Sequence, residues 1–138
     1  MKKCLVSIKG FQTFDNDNDC IEMVADGKFQ YDVEKTVAVY YESQTVCNDV
    51  RVLLKFYPND KLIIERSGAL QSTMIIQKGK RYCDFYTTAQ GKLCMGVYGE
   101  SIHSELNENG GSIFCEYQLD IDGKIVSRNR IEVLLKEV

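Results

Sequence analysis

From Ile21 to Asp32 the chain reads IEMVADGKFQYD, and its apolar residues gather on one parity. Ile21, Met23, Ala25, Gly27, Phe29 and Tyr31 alternate with Glu22, Val24, Asp26, Lys28, Gln30 and Asp32. Successive side chains of a strand point to opposite faces, so this stretch predicts a half-buried β-strand. Twelve residues at ~3.3 Å each would span on the order of 40 Å, too long to stay straight in a small domain. Gly27 is the expected bend.

The same period of two recurs along the chain. Cys4, Val6 and Ile8 share a face, as do Val37, Val39 and Tyr41, then Val52, Leu54 and Phe56, then Leu62 and Ile64. Further strands are expected over 72–76, 81–88, 92–103, 112–121 and 124–135, separated by turn signals such as Asn59-Asp60, Gly68, Gly79, Gly91, Gly110-Gly111 and Asp122-Gly123. No stretch as long as ~10 residues carries a helical period. Closely spaced strands with glycine turns predict an all-β fold: a single antiparallel meander β-barrel of eight to ten strands, with residues 1–138 as one domain. Closing the barrel removes exposed strand edges.

Two hairpins have a predicted register. If Ile121-Asp122-Gly123 is a three-residue loop, Asp120 faces Lys124 and Glu116 faces Arg128 on the outside, while Leu119 meets Ile125, Tyr117 meets Ser127, Cys115 meets Asn129 and Ile113 meets Ile131 inside. A similar loop at Ala89-Gln90-Gly91 sets Phe85 against Met95 and Thr87 against Leu93, inside the barrel.

Charge and composition narrow the function classes. The 138 residues are 44% hydrophobic and 27% charged with a formal net charge of −3, an ordinary globular balance. The one dense basic cluster, Gln77–Arg81, surrounds Gly79 and reads as a solvated turn, so nucleic acid is not the expected partner. No apolar run reaches the roughly 18 residues of a membrane helix, and the N-terminus lacks the apolar core of an export signal. A cytoplasmic protein with no membrane partner is expected. Six cysteines without a CxxC spacing are then expected to be free thiols. The acidic stretch Asp15–Asp19 lacks the closing glutamate and central glycine of a calcium loop and reads as solvated.

Several segments carry a family resemblance: IERSGAL, QKGKRY, GKLCMGV, SIHSEL and GGSIFCEYQLDIDGKIVSRNRIEV, with GKFQYD and VAVYYESQT upstream. Over roughly Gly27 to Val133 the chain resembles the YwiB-type bacterial proteins, a cytoplasmic family of unassigned function with a calycin-like β-barrel. ERSG is the most specific piece. Calycins include lipocalins and fatty-acid-binding proteins, so the resemblance implies a barrel of the ligand-carrying type. It implies no ligand and transfers no catalytic residue.

Candidate chemistry starts at Arg66, which shares parity with the apolar Leu62 and Ile64 and so points inward. A buried guanidinium must be paired, and its planar fork suits a carboxylate or phosphate. It is read either as a ligand clamp or as a strand-end residue that snorkels to the barrel mouth. The inward parity also collects Thr87, Ser101, His103, Tyr117, Ser127 and Asn129, which need water, a ligand or one another as partners. A Tyr117–Asn129 hydrogen bond within a filled core is the alternative to a wet cavity. His103 is the single histidine and cannot build a metal site alone. The leading function is non-enzymatic binding of a small apolar or amphipathic molecule by Arg66, Tyr117, Asn129, Ser127, His103, Phe85 and Met95, with no cofactor and no metal. The rival is a protein–protein interaction module with a filled barrel; an enzyme using a cysteine or His103 ranks third. The oligomeric state is left open, a homodimer included.

Overall fold

A computed structural model describes all residues except 15, 16, 46, 47, 69, 70 and 90, and the side chains of 43–45, 48, 49 and 86–88. Cys47, the side chain of Thr87 and the first two residues of the acidic stretch, 15 and 16, therefore lie outside the described residues. The chain forms ten strands: β1 (Lys2–Phe14), β2 (Asp17–Gln30), β3 (Thr36–Thr45), β4 (Asn48–Tyr57), β5 (Lys61–Gly68), β6 (Ser72–Gln77), β7 (Arg81–Thr88), β8 (Gly91–Asn107), β9 (Gly110–Ile121) and β10 (Lys124–Glu137). All neighbours are antiparallel, in the order β6-β5-β4-β3-β2-β1-β10-β9-β8-β7. The first and last strands pair over ten residues, Cys4↔Glu137 to Thr13↔Arg128. The meander is therefore joined across its termini, and its seam falls between β6 and β7.

That seam is held at one end. Gly79 donates its amide to the Gly99 carbonyl (2.9 Å), and Gly99 donates back to the Lys80 carbonyl (3.3 Å). Gly99 permits this approach because a Cβ there would overlap the backbone of Gln77. From this corner β6 and β7 diverge, leaving the barrel nearly closed.

The core answers the period-two pattern except in β3, where Ala38 and Tyr40 are buried and Tyr41 is exposed, the reverse of the expected Val37, Val39 and Tyr41 face. Val6, Phe29, Ala38, Tyr40, Val52, Leu54, Phe56, Leu62, Ile64, Ile76, Cys115, Val133 and Leu135 are buried as one cluster. Each fully buried large apolar side chain contributes about 1.5–3 kcal/mol, enough in sum to dominate the fold. Gly27 serves close approach: a Cβ would overlap the Val39 carbonyl and the Val6 side chain. Among the described residues β2 pairs with β3 only from Gly27 to Gln30, so its earlier part projects past β3. Ile21, on the inward parity, is consequently 68% exposed. Asp17–Asp19 open β2 and are not loop, as the sequence had suggested.

Two registers and one facing differ from the sequence expectation. The turn into β10 has two residues, Asp122 (φ 52°) and Gly123 (φ 87°). A bulge between Ile125 and Ser127 follows, so Tyr117 faces Asn129, Cys115 faces Ile131 and Glu116 faces Arg130. Two shifts of one residue restore the original face beyond the bulge, and only Ile125 is lost from it, at 53% exposed. In the β7–β8 hairpin Thr88 pairs with Gly91 and Phe85 with Cys94, so Asp84 opposes Met95. This single-residue slip turns Phe85 outward, where it is 72% exposed. In β8 a bulge between Gly99 and Ser101 reverses the parity downstream, so Ile102 is buried and His103 exposed.

Candidate ligand-binding site

The doublet Glu65-Arg66 splits between the two faces of β5. Glu65 faces out, and Lys55 on β4 donates to its Oε1 at 3.1 Å. Arg66 faces in, flanked by Val52 on β4 and Ser72 on β6. Its Nη2 lies 3.6 Å from Oε1 of Glu42, which follows Ala38 and Tyr40 on the inner face of β3. The Tyr40 hydroxyl donates to the same Glu42 oxygen at 3.4 Å. The inward arginine is therefore matched by an inward carboxylate, both of them partly exposed to solvent.

Two buried phenols feel the charge of Arg66. Burial pushes the Tyr40 hydroxyl well above its usual range, with Glu42 adding to the shift and Arg66 opposing it. Burial likewise raises the Tyr117 hydroxyl, reinforced by Cys115 and again opposed by Arg66. The guanidinium thus acts on tyrosines from opposite sides of the barrel.

Beside Arg66 the β6–β7 seam opens into a cavity of about 200 Å³, lined chiefly by Arg66, Ser72, Met74, Tyr82, Met95 and Val97. Apolar surface dominates its wall. Tyr82 donates its hydroxyl to Oε1 of Gln77, whose amide donates to Asp60 Oδ1 at 2.7 Å. That chain braces Tyr82 at the rim.

Residues 6–133 match the family model described as a domain of unknown function, DUF1934. The chain belongs to the DUF1934 family. It is also similar in fold to the solved structure of the YwiB protein from Bacillus subtilis, with a TM-score of 0.81 and 20% identity over 99% of this chain and 92% of that one. A comparison with curated proteins finds no match. The likeness is one of fold and assigns no activity.

Within this DUF1934 barrel the remaining expected residues divide. Tyr117, Leu119 and Asn129 line a second cavity of about 160 Å³, with Gly10, Gln12 and Ile21. Asn129 donates to Ser127 Oγ at 3.0 Å, and Gln12 donates to the same oxygen at 3.4 Å. The buried amide is therefore satisfied by Ser127 and not by the Tyr117 hydroxyl, as the filled-core alternative had it. Met95 lies in the seam cavity, apart from Tyr117 and Asn129. Phe85 and His103 are corrected to the outer face, where His103 packs on Phe114 with ring centroids 6.1 Å apart. Ser101 is on the outer side of the bulge as well.

The sequence reading missed Glu42, Tyr40, Met74 and Tyr82. Glu42 and Tyr40 were missed because the apolar face of β3 was read as Val37, Val39 and Tyr41, whereas the structure turns the other parity inward. The His103 flip had a signal: Gly99 within a strand pattern marks a bulge. Cys115 is no nucleophile, because burial pushes its thiol up to about 12 and keeps it protonated. Among the described residues no group of three or more His, Cys, Asp or Glu could hold a metal ion.

The thiol expectation needs one correction. Cys4, Cys20 and Cys115 are free, but Cys83 and Cys94 are joined across β7 and β8, with Cα atoms 6.1 Å apart.

Proposed function

We propose that this barrel binds a small, partly apolar molecule at the β6–β7 seam, with Arg66 orienting its polar end. The observation that carries the reading is an apolar opening that ends on a guanidinium. Among the described residues Arg66 makes one polar contact, 3.6 Å to Glu42, longer than a strong charge-assisted bond of about 2.7–2.9 Å. The planar fork therefore retains donors for an incoming carboxylate, carbonyl or phosphate oxygen, while Met74, Met95 and Val97 take the apolar part. Small-molecule sites combine an apolar wall with a few placed polar groups in this way. A volume near 200 Å³ is below the usual ~300–1,000 Å³, which favours a small ligand over a long-chain lipid.

A second reading, a protein–protein interaction module, draws on the outer face. There a groove of about 650 Å³ runs between β1, β2, β3 and β4, bordered by Lys3, Lys28, Val39, Tyr41, Arg51 and Leu53. Native mass spectrometry of the purified chain, with organic extraction of what it carries, separates the two. Seam binding gives a bound small mass that Arg66→Leu loses; an unloaded wild-type barrel that captures macromolecules through Tyr41 supports the outer groove.

A further inference from the structure

We infer that Cys83 and Cys94 form a reversible dithiol–disulfide couple on the outer face of the β7–β8 hairpin, reduced by a small thiol that attacks Cys83. The two cysteines are diagonal neighbours: Cys83 pairs with Gly96, and Cys94 pairs with Phe85. Their Cα separation of 6.1 Å is within the range that a disulfide bridges. The sulfurs are not equivalent in their surroundings. Cys83 lies on the β7 edge that borders the seam cavity and is half-buried. Cys94 is overlaid by Arg81, whose Nη2 lies 3.7 Å from its Sγ.

Arg81 can reach that position because Gly96 between them has no side chain; a Cβ there would overlap Arg81 Nε and Asp120 Oδ2. Asp120 fixes the guanidinium with two bonds, 2.8 and 2.6 Å. Asp122 also faces this corner, its Oδ1 accepting the Cys94 amide at 3.0 Å. A fixed cation beside one sulfur makes it the better leaving thiolate.

The exchange balances with two external thiols. A thiolate attacks Cys83 Sγ, the Cys83–Cys94 bond breaks, and Cys94 departs as a thiolate beside Arg81. A second thiolate then attacks the external sulfur of the mixed disulfide, releasing an external disulfide and the Cys83 thiolate. Two electrons pass from the two thiols to the protein. The hairpin is paired from Arg81↔Tyr98 to Thr88↔Gly91 without help from the sulfurs, so opening the bond leaves the strands in place.

The test is redox equilibration of the full chain in glutathione buffers, read by iodoacetamide trapping, peptide mass mapping and circular dichroism. The expected result is protection of Cys83 and Cys94 in the oxidised protein and a two-electron transition that frees both with an unchanged β spectrum. At limiting glutathione, trapping of the intermediate is expected to find glutathione on Cys83 and the carboxamidomethyl group on Cys94 in at least about nine of ten mixed disulfides. Alkylation of both cysteines in the oxidised wild type overturns the couple. So does reduction that occurs only with unfolding, which would make the bond a fixed staple. Glutathione trapped on Cys94, with the alkyl group on Cys83, overturns the assigned order of attack.

Discussion

Two arginine–carboxylate pairs divide this barrel's chemistry. On the outer face Arg81 and Asp120 meet at 2.6 and 2.8 Å over Gly96, and Asp120 also accepts the Gly123 amide at 3.0 Å. Every oxygen of that carboxylate is engaged, and the guanidinium is spread across its partner. Inside, Arg66 touches Glu42 at 3.6 Å beside an open apolar seam. The outer pair ties β7 to β9 and closes the β9–β10 turn. The inner pair neutralises a charge while leaving donors unspent. The difference teaches that an inward arginine is a binding candidate because of the capacity it keeps, and not because it is buried.

The sharpest way to break the contrast is at Gly96. Gly96→Val forces Arg81 from Asp120 and is expected to destabilise the fold by about 2 kcal/mol, within the usual range for overpacking. Urea unfolding measures it, and ligand load in the folded fraction should be unchanged. Arg66→Leu should act the other way round. It is expected to lower stability by only about 1 kcal/mol, as the pair is partly solvated, yet to abolish binding at the seam. Removing Glu42 together with Arg66 should restore stability but not binding.

A smaller effect separates the pairs by pH. Arg81 beside Asp120 holds that carboxyl below its usual range, with the Gly123 amide helping and burial opposing. A depressed folded value contributes stability that is present above the unfolded carboxylate value of about 3.9 and is lost as pH falls through the folded one. Wild type should therefore weaken below about pH 4 by more than Asp120→Asn does, as compared by thermal midpoints at pH 7 and pH 3. Smallest of all is the surface pair Lys55–Glu65, where Lys55→Ala should change stability by less than about 0.5 kcal/mol.

Much of the fold was legible because a strand's facing has a period of two. The alternation in β2 and the pairing of Leu62, Ile64 and Arg66 on one face survive in the structure, and the meander order follows from short glycine turns. What failed was local counting. The β7–β8 turn has two residues where three were expected, and that one-residue change moved Phe85 from wall to surface. Errors of two residues, as between Tyr117 and Asn129, leave the face intact and do little harm. The bulge after Gly99 displaced His103 in the same way as the short turn displaced Phe85. The division of the interior into a seam cavity and a Tyr117–Asn129 cavity was not legible. It depends on where β6 and β7 diverge and where β2 outruns β3, which only three-dimensional closure decides.

The central claim is that the β6–β7 seam takes a ligand whose polar end meets Arg66. Its most direct test is a nuclear magnetic resonance titration of the labelled chain with hexanoate, a short anion with an apolar tail. Saturable shifts of the Arg66 Nε–H signal and of the Met74 and Met95 methyls, with Phe85 and His103 unmoved, are predicted. Shifts confined to the outer groove around Tyr41 and Lys28, with Arg66 silent, would contradict it.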